Sequence, residues 1–121
     1  MPRSGGVVIE AVNDPAGDAL EDLRAWLRVD VPRLRVEAVR AATGRGEMSG
    51  GVVAALETAV LSKELLGMVV TGVAGWLSAR ATTRRTRIRV KCGDREVEID
   101  TADIDKADEI AHRLGRALGA S

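Results

Sequence analysis

Cys92 and His112 are the only cysteine and the only histidine of the 121-residue chain, and a thiol with an imidazole is the smallest set that could supply a nucleophile and its base. The spacing does not develop that chemistry. Cys92 closes a stretch rich in arginine and lysine, His112 falls off the apolar stripe of a C-terminal helical pattern, and no third residue is placed to orient a base. The serines fall in loops or in the long apolar segment, so a Ser-His-Asp arrangement has no support either. We read Cys92 as a small, semi-buried thiol and expect no catalytic residue.

Two other segments carry residue types that bind ligands. "DTADIDKADE" concentrates Asp100, Asp103, Asp105, Asp108 and Glu109. A calcium loop needs ligands at alternate positions around a central glycine, and this segment has neither. Helix capping and the helix dipole account for most of these carboxylates. "TGRGEMSGG" places Gly44, Gly46 and Gly50 ahead of an apolar run, where phosphate-binding glycines sit in nucleotide-binding folds. Its spacing is not the dinucleotide fingerprint, and no Gly-Lys-Ser/Thr sequence exists, so a flexible loop is the reading. No metal and no cofactor are expected.

The totals narrow the function further. Eighteen basic and eighteen acidic residues give a formal net charge of zero, which offers no overall attraction to nucleic acid or anionic lipid. Two tryptophans with no phenylalanine or tyrosine leave almost no stacking platform for single-stranded nucleic acid. One cysteine forms no internal disulfide. The apolar run Val7–Val12 is interrupted by Glu10 and is too short for a signal-peptide core, so a cytoplasmic protein is the expectation.

The elements that must position any site follow from periodicity. "VVIEAV", Val7–Val12, is β-branched and ends in the turn-rich "NDPAG", which predicts a strand. Asp18 and Glu21 have the spacing of a capping box, and Leu20, Leu23, Trp26 and Leu27 then make one helical stripe. Pro32 blocks continuation, and Leu34, Val36 and Ala38 alternate with charged residues as in a second strand. The segment from Val52 to Ala81 is too long for one helix in so small a chain and should divide, with Ser62 capping the second piece. Its first piece, "VVAALETAV", fits helix or strand.

"RIRVKCGDREVEID" gives the sharpest expectation. With Gly93 and Asp94 as a two-residue turn, Lys91 meets Glu96, Arg89 meets Glu98 and Arg87 meets Asp100 on one face. On the other face Val90 meets Val97 and Ile88 meets Ile99. Opposite charges on one side and β-branched pairs on the other fix this register. A last helix should begin near Asp105, bury Ala107, Ile110, Ala111, Leu114 and Leu118, and end at Gly119. The expected fold is therefore an α/β single domain of order β-α-β-α-β-β-α. Its four-stranded mixed sheet runs 2-1-3-4, with the first three strands parallel and the fourth antiparallel at an edge.

Leu65–Ala81 raises a separate question, because its 17 residues carry one charge, Arg80, and would span ~26 Å as a helix. Arg80, Arg84, Arg85 and Arg87 would suit the cytoplasmic end of a membrane anchor. Gly67, Thr71 and Gly75 recur every four residues, a small ridge that serves membrane helices, helix self-association and close approach to a sheet alike. Arg80 inside the span, and Lys63 and Glu64 at its other end, favour a helix buried in the core. A helix docked on a partner or inserted in a membrane are the alternatives.

Four segments carry a family resemblance in their order along the chain: "LRAWLRVD" (Leu23–Asp30), "GVAGWLSAR" (Gly72–Arg80), the charged hairpin, and "DKADEIAHRL" at the start of the last helix. Together they resemble the effector-associated constant component family of small actinobacterial proteins. The resemblance implies one such domain over residues 1–121. It also implies a non-enzymatic adaptor in a conflict or antiphage defence system, accompanying variable effectors such as caspase-like or trypsin-like peptidases, or a regulatory ATPase. Candidate contacts are the hairpin's outward face, Arg87, Arg89, Lys91, Glu96 and Glu98. The ridge of Gly67, Thr71 and Gly75 could join a partner or a second copy.

Overall fold

The computed structural model describes residues 6–12, 18–40, 53–59 and 62–119. Along the chain these form β1 (Gly6–Ala11), α1 (Asp18–Asp30), β2 (Val36–Arg40), β3 (Val53–Ala59), α2 (Lys63–Ala81), β4 (Arg87–Cys92), β5 (Arg95–Asp100) and α3 (Ala107–Leu118). The five strands make one sheet in the order β2-β3-β1-β4-β5, with every neighbouring pair antiparallel. The first six elements have the connectivity of a split β-α-β-β-α-β unit, which β5 and α3 extend.

The expected four-stranded mixed sheet is thus corrected to five antiparallel strands. One segment accounts for both differences. Val53–Ala59 is a strand, and it inserts between β2 and β1, leaving the rest of the expected neighbour order in place. The extra passage across the sheet also delivers the chain to α2 from the opposite end, so β4 runs antiparallel to β1 rather than parallel. β1 and β2 do run in the same direction, but β3 lies between them.

The apolar stripes bury themselves largely as read. Leu20, Leu23 and Leu27 of α1 are buried, whereas Trp26 is 37% exposed and leaves the stripe. In α2, Ser62 adopts extended geometry and its side chain accepts the Leu65 amide at 3.1 Å, which starts the helix. Leu66, Val69, Val70, Val73, Ala74, Trp76 and Leu77 then join the core. α3 starts two residues later than expected, with Lys106 before its first turn, and buries Ile110, Leu114, Gly115 and Leu118 before Gly119 closes it at φ +80°. α2 lies between α1 and α3 and touches both. A fully buried Leu, Ile or Val contributes about 1.5–3 kcal/mol, so this shared layer is the main stabilising term.

The close helix contact uses a different glycine from the expected ridge. A methyl at Gly72 would meet the Asp30 carboxylate at 3.0 Å and Leu27 at 3.1 Å, so glycine lets α1 approach α2 without these side chains having to give way by a few tenths of an ångström. A methyl at Gly67 would meet open space, Thr71 is exposed, and a methyl at Gly75 would lie 3.6 Å from the Trp26 ring. The ridge therefore faces outward and toward α1, not onto the sheet.

The hairpin has the expected register at all six positions, from Arg87 opposite Asp100 to Cys92 opposite Arg95. Gly93 takes φ +65°, a conformation that L side chains adopt only under strain and that a two-residue hairpin turn requires.

Candidate functional site

Strand alternation divides the sheet into two faces with different chemistry. Val7, Ile9, Leu56, Ile88, Val90 and Ile99 point into the core with the helices, and Ala11, Val36, Ala38, Cys92 and Val97 pack at its margin. The alternate residues stay out of that cluster: Glu37 and Val39 of β2, Ala55 and Glu57 of β3, Val8 and Glu10 of β1, Arg87, Arg89 and Lys91 of β4, and Glu96, Glu98 and Asp100 of β5. Among the described residues, one whole face of the sheet is left without a helix.

On the β1, β4 and β5 part of this face every cation has an anion. Arg87 reaches Glu98 at 2.6 Å and Asp100 at 3.9 Å, Arg89 lies 3.4 Å from Glu96 and 3.6 Å from Glu98, and Lys91 lies 3.7 Å from Glu10. Glu10 also lies 3.7 Å from Arg89, carrying the ladder onto β1. The ladder ends in a stronger joint. Arg85 donates to both oxygens of Asp100, at 3.0 and 2.6 Å, and the Ala102 amide donates at 2.9 Å. The Arg85 guanidinium, helped by that amide, holds the Asp100 carboxyl at about 2, below its ordinary 3.8, although burial opposes the shift.

The β2 and β3 part is built differently. Glu37 stands directly opposite Glu57 in the register, and neither makes an ion pair among the described residues. Beside them lies a hollow of about 950 Å³. Gly6, Ala59 and Gly93 are its smallest residues, Val8 lies on its β1 wall, Arg35, Glu37 and Glu57 line the β2–β3 side, and Lys91 and Asp94 the other. The sequence contains the signal for half of this arrangement. Read as a strand, "VVAALETAV" turns Glu57 away from Leu56 and Thr58, but only the β2–β3 pairing sets it against Glu37.

The apolar segment and its arginines are absorbed by the fold. Trp76 is buried, and its indole Nε1 donates to Asp22 at 2.9 Å, as a buried indole requires. Arg80 donates to the same carboxylate oxygen at 3.0 Å and to the Thr86 hydroxyl at 3.0 Å, and lies over the Trp76 ring at 5.2 Å. It is a staple joining α1, α2 and the start of β4, not the flank of an anchor. No helix among the described residues is long and apolar enough to cross a membrane.

The remaining candidates stay apart from this face. Cys92 packs at the core margin and His112 is exposed on α3. Among the described residues no group of three or more His, Cys, Asp or Glu could hold a metal ion. Gly44, Gly46 and Gly50 lie outside the described residues.

No curated protein and no solved structure matches the chain. Residues 12–118 do match a family model, from the end of β1 to the end of α3, and so take in the hairpin, the Trp76 staple and the Glu37–Glu57 pair. The chain belongs to the Effector Associated Constant Component 1 family.

Proposed function

We propose that the protein is a non-catalytic adaptor that binds an effector protein in a bacterial conflict or antiphage defence system, in the cytoplasm. Membership of a family described as a constant component associated with effectors supports the association. The observation that carries the reading to a surface is the sheet face that no helix among the described residues covers, a broad area whose side chains are set by strand register. On it, Arg87, Arg89, Lys91, Glu96 and Glu98 form the charged rim. Their mutual pairing makes them suited to steering and orienting a partner rather than supplying the bulk of affinity.

Gly67, Thr71 and Gly75 on the outer side of α2 are a second contact, for a regulatory ATPase or another copy of the chain. Gly67 and Thr71 line a hollow with Met68, which is 37% exposed. The test is co-expression of the tagged chain with the effector encoded beside it, followed by native co-purification and mass spectrometry. Recovery of the pair, weakened by Arg89→Glu, is the expected result. Recovery of the chain alone, under conditions that preserve a control complex, would sink the adaptor reading.

A further inference from the structure

Among the described residues, the two carboxylates that face each other without an ion pair, Glu37 and Glu57, distinguish one end of the open face from the rest of it. Directly opposed residues on neighbouring strands hold their Cβ atoms about 4.5–5.5 Å apart, and like charges in that position oppose folding. On β4 the same protein answers each cation of this face with an anion. Among the described residues neither Glu37 nor Glu57 makes an ion pair, and both line a hollow of about 950 Å³ together with Arg35, Gly6, Val8 and Ala59. Lys91 lines its other side but is turned to Glu10, at 3.7 Å.

We propose that this hollow is a docking site for an extended segment of a partner protein that places a lysine or arginine side chain between Glu37 and Glu57. Charge complementarity selects the occupant. A guanidinium or ammonium there converts a repulsive pair into two charge-assisted contacts, with the fork of arginine able to meet both carboxylates. The small residues leave room for the backbone and neighbouring side chains of the segment. Lys91 and Asp94 at the far side are of opposite sign, so they add no net demand for charge, and the partner spaces its basic residues with small or polar ones. The site rests on the adaptor reading only for the origin of the partner, since binding itself is a property of the isolated chain.

The test uses two fluorescein-labelled peptides of equal length on the full chain, one alternating arginine with serine and one alternating glutamate with serine. Fluorescence anisotropy is expected to show binding of the arginine peptide alone, weakening with added salt, and about tenfold weaker with the Glu37→Gln, Glu57→Gln double variant. The thermal midpoint of the free double variant should rise, because a repulsion is removed. Equal binding of both peptides, or of the arginine peptide by parent and variant, overturns the proposal. A fall in thermal midpoint also overturns it, by showing that the carboxylates serve the fold. Sedimentation velocity supplies the remaining outcome: a dimer that the same double substitution dissociates would give the site to a second copy and overturn the partner segment. Loss of effector co-purification with peptide binding intact would count against the adaptor reading alone.

Discussion

The two ends of the open sheet face carry the same residue types and treat them oppositely. On the open side of β4 and β5, arginine, lysine and glutamate are interleaved so that each cation lies within 4 Å of a carboxylate. On β2 and β3, glutamate meets glutamate, and neither makes an ion pair among the described residues. The ladder satisfies itself within a single hairpin. The acidic pair leaves its chemistry available, which is why a partner's charge is better sought there than on the more heavily charged hairpin.

The strongest way to break this comparison is at Asp100, where the ladder is anchored. Asp100→Ala removes the acceptor of two Arg85 bonds and of the Ala102 amide, and should cost about 2 kcal/mol in urea unfolding. The same carboxylate gives the hairpin a pH limit. Its folded value of about 2 lies below its ordinary 3.8, so its stabilisation is complete above about 4 and is lost as pH falls toward 2. In Asp100→Asn the slope of stability against pH in that window should flatten. An unchanged acid limb would place the acid sensitivity in other carboxylates.

Glu98→Lys reverses one rung. It sets a cation among Arg87 and Arg89, turning two attractions into repulsions, and should cost about 1 kcal/mol, with the loss shrinking as salt is added. A salt-independent loss would mean that the rung acts through packing instead.

Thr58→Val sharpens the contrast from the core side of β3. Among the described residues the buried Thr58 hydroxyl has no hydrogen-bond partner, so replacing it with a methyl should stabilise the protein by about 1 kcal/mol. The smallest effect belongs to Glu57→Gln, which should raise stability by a few tenths of a kcal/mol at low salt. If Glu57→Gln destabilised the chain as Glu98→Lys does, the two ends of the face would not differ in the way their geometry states.

The chain reveals these regions unequally before folding is considered. The hairpin register could be read because its partners are separated by a two-residue turn, and a shift of one residue would have sent Ile88, Val90 and Ile99 to the open face. The stripe of α3 was equally plain, since Ile110, Leu114 and Leu118 repeat at helical spacing. "VVAALETAV" gave no such answer. A short apolar run satisfies both periods, and its strand form depends on β1 and β2 standing on either side of it. Trp26 misled for a related reason: periodicity put it on the stripe, yet its ring lies against Gly75 at the surface.

What the sequence determined by itself is therefore local: the hairpin with its charge ladder and the helix stripes, where the interacting residues are close along the chain. Its four family segments also named the family before folding was considered. Tertiary structure decided the direction of every strand after β2, because the role of Val53–Ala59 reverses the chain's course across the sheet. It also decided that Asp22 would receive Trp76, 54 residues away, and that Glu37 would stand against Glu57. Contacts of that kind carry no periodic mark, since each exists only after two separate elements have been brought together by burial of their apolar faces.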